Sequence, residues 1–362
     1  MIPYAKPLIG EEEKRKVLEV MDSGMIASGP ITAQFEKEFS AYIGSEYGIA
    51  TSNGTTALHV ALLAAGVQPG DKVLTTPFTF IASGNSILYC DAKPVFVDID
   101  PETFLIDPEK IKEALEKDPE IKALLIVHLY GLSCDMDRIM PLVEKHNLIL
   151  IEDCAQSHGA EYGGKKTGSF GHAAAFSFYP TKNMTTGEGG IVVTDKEDIA
   201  AKARQIINHG RSGRYFHDML GYNYRMTDIA AAIGSVQLSK LDGFNAKRVA
   251  NAQYLSENLQ GLSWLETSYV PKQCSHVYHQ YTVKVEKRDA FAQWLQEKGV
   301  GNSIVYPIPI HRQPFYQEIV GKDLALPRAE EVAEQVISLP IHPALTLEQL
   351  EEMVVIIKSF SV

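Results

Sequence analysis

The sequence has few features that would support a small disulfide-stabilised fold or a membrane protein. It contains four cysteines in 362 residues, with no CxxC pair and no zinc-finger spacing. This usage excludes a disulfide framework and favours buried, reduced thiols. There is no apolar run of membrane-spanning length, and the N-terminal residues lack the hydrophobic segment of a secretion signal. We therefore expect a cytoplasmic protein that does not enter a membrane.

Positive charge is also scarce relative to negative charge. The 34 lysines and arginines are outnumbered by 45 aspartates and glutamates, which gives a net charge of −11. This balance argues against general binding to nucleic acid, which needs a basic surface, but it does not exclude a small phosphorylated ligand. With 45% hydrophobic and 22% charged residues, the composition is that of a globular protein long enough for two domains.

Short apolar runs alternate with helical patterns over the first half of the chain. Because such strands are rich in Val, Ile and Leu, the alternation predicts an α/β fold with a mostly parallel sheet covered by helices on both faces. The predicted strands are Tyr47–Thr51, Lys72–Thr76, Pro94–Asp98, Ala123–His128, Leu148–Glu152, Ala173–Phe178 and Ile191–Thr194. Helices are predicted over residues 56–65, 197–207 and 227–260.

The pattern changes after about residue 246. Predicted strands at Tyr281–Val285 and Ser303–Tyr306 accompany amphipathic helices at Asp289–Lys298 and Leu347–Ile357. This indicates a smaller α/β domain of ordinary size. We therefore predict a large domain over residues 1–245 and a small C-terminal domain over residues 246–362.

A lysine lies between two predicted strands, next to a serine and a glycine cluster, in the stretch from Ser177 to Gly190. This arrangement suits an enzyme that uses pyridoxal 5′-phosphate (PLP), because the amine of Lys182 could form a Schiff base with the cofactor aldehyde. The Ser177 hydroxyl could donate a hydrogen bond to the phosphate. The glycines would let the backbone approach a flat ring.

A second segment, from Ser52 to Thr56, joins the first predicted strand to the first predicted helix. Backbone amides at a helix N-terminus, together with Gly54 and the hydroxyl of Thr55, would form an anion site. The alternative is helix capping by Ser52 or Thr55. Because Ser177 and Lys182 lie on the same chain, we favour a phosphate site.

Two further positions follow predicted strands. Asp153 ends a buried strand, where its carboxylate could hold a pyridine nitrogen protonated, and Gln156 could donate to the phenolic oxygen of the same ring. Asp153 could instead cap a loop. Glu152 should point to the other side of the strand. Phe80 follows the second strand and could stack on the ring, although phenylalanines at such places are more often in the core.

Taken together, these segments resemble the DegT/DnrJ group, which are PLP-dependent sugar-nucleotide aminotransferases of the aspartate aminotransferase fold (type I). The resemblance extends over nearly the whole chain, from Gly29-Pro-Ile-Thr-Ala-Gln-Phe-Glu to Leu339-Pro-Ile-His-Pro. It is carried by Asn53-Gly-Thr-Thr-Ala-Leu, Thr76-Pro-Phe-Thr-Phe, Glu152-Asp-Cys-Ala-Gln, Phe176-Ser-Phe-Tyr-Pro-Thr-Lys-Asn and Gly221-Tyr-Asn-Tyr-Arg-Met-Thr-Asp.

The resemblance implies a role for each matching residue. Lys182 would be the Schiff-base lysine and Asp153 the partner of the ring nitrogen, both catalytic. The other cofactor contacts would be Gln156 at the ring oxygen, Phe80 stacked on the ring, and Gly54, Thr55 and Ser177 at the phosphate. Asn223 would reach the phosphate of the neighbouring subunit's cofactor, which implies a homodimer with shared active sites.

The implied reaction transfers an amino group from L-glutamate to a nucleotide-linked keto-deoxyhexose by a ping-pong mechanism through a Lys182 aldimine. The run from Thr185 to Gly190 is similar to that of members acting on C4 of a UDP- or dTDP-4-keto-6-deoxy sugar. Alternatives are amination at C3, a PLP-dependent sugar dehydratase, in which a histidine replaces the lysine, and a non-catalytic regulator. Candidate sugar or diphosphate contacts are His209, Arg211, Arg214, Tyr215 and His311.

Two motifs with other meanings are rejected, and we expect no metal site. The glycine-rich stretch before Lys166 lacks the final Ser or Thr of a phosphate-binding loop, and no helix is predicted after it. The stretch from Cys274 to His279 has three possible metal ligands but no second cluster to complete a site.

Overall fold

The computed structural model describes residues 1–361; Val362, the last residue of the predicted small domain, lies outside them. The helices are α1 (Glu11–Ser23), α2 (Pro30–Ile43), α3 (Gly54–Ala65), α4 (Ile81–Tyr89), α5 (Pro108–Lys117), α6 (Met136–His146), α7 (Glu197–Ile206), α8 (Asp228–Leu259), α9 (Arg288–Glu297), α10 (Pro314–Val320), α11 (Pro327–Gln335) and α12 (Leu347–Lys358). The strands are β1 (Tyr47–Thr51), β2 (Lys72–Thr75), β3 (Lys93–Phe96), β4 (Ile121–Val127), β5 (Ile149–Asp153), β6 (Glu161–Tyr162), β7 (Lys165–Lys166), β8 (Ala173–Ser177), β9 (Gly190–Thr194), β10 (Leu265–Thr267), β11 (Cys274–Ser275), β12 (Tyr281–Val285) and β13 (Val336–Leu339).

The seven strands predicted in the first half of the chain form one sheet, in the order β1-β9-β8-β5-β4-β2-β3. Six of them are parallel, and β9 runs antiparallel to both β1 and β8. The prediction of a mostly parallel seven-stranded sheet is therefore confirmed. Because parallel strands end at the same edge, the loops after β1, β2, β4, β5 and β8 meet at one edge of the sheet.

A second, antiparallel sheet has the order β10-β12-β13. It packs with α9, α12 and the end of α8 around its own apolar cluster, which includes Leu255, Phe291 and Met353. The predicted boundary between residues 245 and 246 falls inside the continuous helix α8, and the division into two domains stays a prediction. In residues 1–361, none of the helices combines the length and apolar character that a membrane crossing requires.

The predicted strand Ser303–Tyr306 is wrong. Only Ser303 pairs with the small sheet, by exchanging backbone hydrogen bonds with Ser338. The chain then leaves the sheet and takes Tyr306 to the cavity described below. Pro307 and Pro309 follow, and because proline has no N–H, this segment is poorly suited to extend a ladder.

Helices α2 and α8 are joined at their N-termini by one buried carboxylate. Helix α2 begins after Gly29, which has no side chain to cap its amides. Asp228 of α8 takes that role, because its carboxylate accepts hydrogen bonds from the amides of Gly29, Ile31 and Thr32 at 2.8–3.2 Å and from the Thr32 hydroxyl at 2.6 Å. Asp228 and Thr32 are both buried, so water cannot replace the two hydrogen bonds between them.

We expect Asp228→Ala to lower the free energy of unfolding by roughly 2–4 kcal/mol. The change leaves the buried amide and hydroxyl of Thr32 without an acceptor, and each costs about 1 kcal/mol or more. It also removes the cap from the partly buried amides of Gly29 and Ile31. Urea unfolding followed by circular dichroism would measure the loss. Asp22→Ala is the matched control, because Asp22 is exposed near the end of α1, and we expect a change below about 0.5 kcal/mol. Equal midpoints for the two variants would contradict the capping role.

Candidate active site

The strand ends at the common edge of the large sheet surround a cavity of about 780 Å³. Seven of the eight predicted site residues line it: Gly54, Thr55, Phe80, Asp153, Gln156, Ser177 and Lys182. They come from the loops after β1, β2, β5 and β8, so the parallel topology brings together residues that are up to 128 positions apart in sequence. Asn223 does not line this cavity.

One end of the cavity is suited to an anion. Helix α3 begins there and is capped by Asn53, whose side chain accepts from the amide of Thr56 at 2.9 Å. The alternative of capping by Ser52 or Thr55 therefore does not apply. Within residues 1–361, the amides of Gly54 and Thr55 have no hydrogen-bond acceptor. Ser177 accepts from the amide of Tyr179 at 3.4 Å, which leaves its own proton to donate.

The absence of a side chain at Gly54 allows the start of α3 to pack closely against Ser177. A Cβ atom there would lie 2.6 Å from the Cβ and 3.0 Å from the Oγ of Ser177. Helix α3 and strand β8 therefore approach each other more closely than any other residue would allow. A phosphate group could accept hydrogen bonds from the two free amides and the hydroxyl. The positive end of the helix dipole would also stabilise its negative charge.

Asp153 lies at the end of β5 with a buried carboxylate. Its Oδ2 accepts from the Ser83 hydroxyl at 2.7 Å, and its Oδ1 accepts from the amide of Ala155 at 3.1 Å. Burial raises the pKa of Asp153, although these two bonds and the charge of Lys182 oppose the shift. A cationic partner in the cavity would favour the ionised carboxylate.

Glu152 points to the other side of the sheet, as the alternation along a strand predicts. Its carboxylate accepts from the amides of Gly168, Phe170 and Gly171 at 2.7–2.8 Å and lies 3.0 Å from Nε2 of His128. These bonds lower the pKa of Glu152 against the effect of burial. The residue therefore organises the loop before β8 and does not reach the cavity.

Lys182 is the only lysine or arginine that lines the cavity among the described residues. Desolvation lowers the pKa of its amine to about 8, and only the charge of Asp153 opposes this shift. At pH 7 about a tenth of the amine is then neutral, compared with roughly one part in three thousand for an ordinary lysine. A neutral amine is the form that attacks a carbonyl or accepts a proton.

The wall of the cavity contains two aromatic rings and an amide. Phe80 is 56% exposed, which is unusual for phenylalanine and leaves its ring free to stack on a ligand. Its centroid lies 6.2 Å from that of Tyr306. Gln156 donates to the Tyr306 hydroxyl at 3.0 Å, and its Oε1 accepts from the amide of Tyr130 at 2.8 Å, so the Gln156 amide group has a fixed orientation.

Asn223 and the candidate sugar contacts lie elsewhere. Asn223 is exposed and pairs with Asn208 at the base of the loop that carries His209, Arg211, Arg214 and Tyr215. None of these residues lines the cavity. His311 is buried, and its Nε2 lies 2.9 Å from Oε1 of Glu330, so the candidate sugar contact is engaged in an internal hydrogen bond.

Several residues that line the cavity were not predicted from the sequence. Ser83 was visible one helical turn after Phe80 and could have been proposed as a partner of the acid. Tyr306, His279 and Gln280 come from the second half of the chain. No local pattern identifies these three, because only tertiary packing brings them to the edge of the large sheet.

A possible metal cluster is formed by His128, Glu152 and Cys154, whose ligand atoms lie within 4.8 Å of one another. The Glu152 carboxylate already accepts three amide hydrogen bonds, and burial holds the pKa of Cys154 well above its usual value. A protonated thiol and a satisfied carboxylate form a poor metal site. In the rejected Cys274–His279 stretch, His276 accepts from the amide of Tyr278 and stacks on its ring.

The chain belongs to the DegT/DnrJ/EryC1/StrS aminotransferase family, whose model matches residues 7–358. Two relatives are each 40% identical to it. One is a pleiotropic regulatory protein of Geobacillus stearothermophilus, matched over 97% of this chain and 95% of the relative. The other is the GDP-perosamine synthase of Caulobacter vibrioides, matched over 98% and 96%. Further relatives have the names of enzymes that form 3-amino sugars.

The fold is shared with solved structures of the same kind. The putative sugar aminotransferase Spr1654 from Streptococcus pneumoniae, in its PLP form, superposes with a TM-score of 0.93 at 27% identity, covering 99% of this chain and 98% of that one. The protein is therefore a PLP-dependent sugar-nucleotide aminotransferase, and its substrate is a nucleotide sugar.

The cavity fits PLP. The unpaired amides of Gly54 and Thr55 and the Ser177 hydroxyl would hold the phosphate, and the missing side chain at Gly54 lets these groups lie close together. Asp153 would accept a hydrogen bond from the ring nitrogen, Phe80 would cover one face of the ring, and Gln156 would reach the ring oxygen. Lys182 is the one amine available to the aldehyde.

The lowered pKa of Lys182 predicts how covalent capture of PLP by the cofactor-free protein depends on pH. The neutral amine is the reactive form, so the rate should rise with pH to a midpoint near 8 and fall as the pH drops below it. Stopped-flow absorbance between about pH 6 and pH 10 would measure this. Asp153→Asn should lower the midpoint, because the Asp153 charge raises the pKa of Lys182. A midpoint near 10.5 would contradict the desolvated site.

Gly54→Ala should weaken PLP binding by about tenfold or more. The added Cβ collides with Ser177 and displaces the two free amides, each contributing roughly 1 kcal/mol to binding. Titration of the cofactor-free protein with PLP would measure the change. Gly243→Ala in α8 is the control, because its added Cβ meets no atom within 4 Å, and its affinity should equal the wild type. Unchanged affinity in both variants would place the phosphate elsewhere.

Proposed function

We propose that the enzyme transfers the amino group of L-glutamate to C4 of a UDP- or dTDP-linked 4-keto-6-deoxyhexose by a ping-pong mechanism. The observation that carries this proposal is the position of Lys182, a desolvated amine that shares one cavity with the buried carboxylate of Asp153 and the open N-terminus of α3. The family membership supports a nucleotide sugar as acceptor.

PLP, when bound, supplies an aldehyde that binds amines covalently and a ring that stabilises negative charge on the adjacent carbon. Lys182 holds the place of the incoming amine until the donor displaces it. With PLP bound, the neutral amine of Lys182 would be the group that takes the proton from the donor α-carbon and holds it for return. Lys182 repeats this proton transfer in the opposite direction for the keto sugar.

Asp153 and Ser83 act together on the ring nitrogen. The Ser83 hydroxyl and the Ala155 amide each occupy one oxygen of the carboxylate, which fixes the orientation of the group. The carboxylate can then accept the ring N–H and keep that proton in place throughout the reaction. Burial raises the pKa of Asp153, and the hydrogen bond from Ser83 opposes this shift and favours the ionised carboxylate.

The C4 position is proposed from the run between Thr185 and Gly190. Thr185 donates to the carbonyl of Phe178 and Thr186 to the carbonyl of Glu188, so both hydroxyls hold the turn itself. Glu188 is the residue of this run that lines the cavity, and it is exposed at its mouth. Relatives that form 3-amino sugars make C3 the alternative position.

We also propose that the active enzyme is a homodimer in which Asn223 reaches the partner's cofactor. Asn223 is exposed at the base of a loop that displays Tyr215, Phe216 and Leu220, each more than 70% exposed. Large apolar side chains displayed together in this way are typical of a surface that another chain covers.

Lys182→Ala should abolish the reaction of the PLP-loaded protein with L-glutamate, lowering its rate by at least about a thousandfold, because it removes the amine that moves the proton. Loss of the visible cofactor band after adding L-glutamate, without any sugar, measures this half-reaction. Lys165→Ala, at an exposed lysine, is the control and should react normally. Full turnover by Lys182→Ala would refute the mechanism.

The wild-type protein, after it has reacted with L-glutamate, can be used to identify the acceptor sugar. After the donor half-reaction, a nucleotide-linked 4-keto-6-deoxyhexose should yield a 4-amino sugar, which NMR of the product would show. Turnover only with a 3-keto sugar would show that C3, and not C4, is the position that is aminated. Loss of water without a new amine would identify a dehydratase, and no reaction with any keto sugar would favour a regulatory role.

A further inference from the structure

A second cavity, which we call the side chamber, adjoins the active-site cavity. It has a volume of about 190 Å³, and the two cavities share Thr181, His279 and Gln280 as wall residues. Its other walls include Tyr4, Arg248 and His342. A water molecule occupies about 30 Å³ in the liquid, so the chamber holds the equivalent of roughly six waters. That is room for a carboxylate on a short arm and too little for a nucleoside diphosphate.

Arg248 is a buried cation, and no Asp or Glu of residues 1–361 forms an ion pair with it. It is 6% exposed, and its Nη1 donates to the carbonyls of Tyr278 and His279 at 3.1 and 3.2 Å. Its Nε has no acceptor within the described part of the chain. Burial lowers the pKa of Arg248 to about 10, so the group is charged at neutral pH. A buried charge without a counter-ion is costly, which favours an anion bound beside it.

The other polar groups of the chamber do not supply that negative charge. His279 and His342 are buried, and Nδ1 of each has no hydrogen-bond partner. Burial lowers the pKa of both imidazoles and raises the pKa of Tyr4 to about 12, so these side chains are neutral at pH 7. Tyr4 and His279 can each offer a proton to an oxygen anion. The single proton of neutral His342 is on Nε2, which donates to the carbonyl of Pro3 at 3.1 Å. The chamber therefore combines one unpaired cation with neutral polar groups.

L-Glutamate carries two carboxylates, whereas Lys182 is the only cation in the main cavity among the described residues, and the reaction uses its amine. The α-carboxylate is bonded to the reacting carbon and must stay near Lys182. The carbon of the side-chain carboxylate is three bonds from the reacting α-carbon, at the end of a flexible chain. It could reach past the wall formed by Thr181, His279 and Gln280. Arg248 is the cation that lies beyond this wall.

We propose that the side chamber is the subsite for the side-chain carboxylate of the amino donor, and that Arg248 selects dicarboxylate donors over neutral amino acids. The inference rests on the proposed function, which names L-glutamate as the donor. It extends that function by assigning donor specificity to a residue outside the cofactor cavity.

The test compares L-glutamate with L-norvaline, which has a side chain of similar length and no second carboxylate. In the PLP-loaded protein, Arg248→Met should lower kcat/KM of the donor half-reaction for L-glutamate by about 10- to 100-fold, the usual effect of losing a charged hydrogen bond. The value for L-norvaline should change by less than about twofold. Arg248→Lys, which keeps the charge, should retain part of the preference. Arg138→Met, at an exposed arginine, is the control and should leave both values unchanged.

Equal losses for both donors, or no loss for either, would overturn the proposal. A binding measurement covers the case in which Arg248→Met does not fold or the protein accepts no amino acid. Glutarate, which cannot react, should bind the wild-type holoenzyme in calorimetry, and butyrate should bind at least about tenfold more weakly. No preference for glutarate would overturn the side chamber as a carboxylate subsite. Failure of L-glutamate to react, with glutarate still preferred, would instead remove the proposed function.

Discussion

Desolvation of two opposite charges is the constraint on which the active site depends. Asp153 and Lys182 lie in one cavity, and burial acts on them in opposite directions, raising the pKa of the acid and lowering that of the amine. Each charge partly offsets the shift of the other, so neither group can be changed alone without altering its partner. The large parallel sheet makes this arrangement possible, because it delivers both residues to one edge while its core excludes water.

Much of the fold could be predicted because the information is local. The seven strands of the large sheet are short apolar runs, and their β-rich composition and spacing are visible in the sequence. The segments around Gly54, Asp153 and Lys182 could be recognised for the same reason, since each joins a strand to a loop or helix. The capping residue of α3 could not be identified from the sequence, because Ser52, Asn53 and Thr55 all have capping side chains.

What could not be predicted depends on tertiary packing. Tyr306 follows a segment that has the composition of a strand but leaves the sheet after Ser303, so the pattern alone gave the wrong structure. Arg248 occupies an ordinary position on a long helix and has no local signature. It becomes notable only because the small sheet buries it without an acid. His311 differs in the opposite sense. It was a candidate sugar contact in a proline-rich loop, but the structure buries it against Glu330.

Helix α8 has a consequence for how the enzyme could move. Its 32 residues span about 48 Å, and it contacts α1 and α2 at one end and the small sheet at the other. Rotation of one apolar cluster against the other would have to bend this helix and break its backbone hydrogen bonds. A hinge at residues 245–246 is therefore disfavoured, and substrate entry should depend on the movement of loops. As a rigid helix, α8 should keep Arg248 at a constant distance from the cofactor cavity.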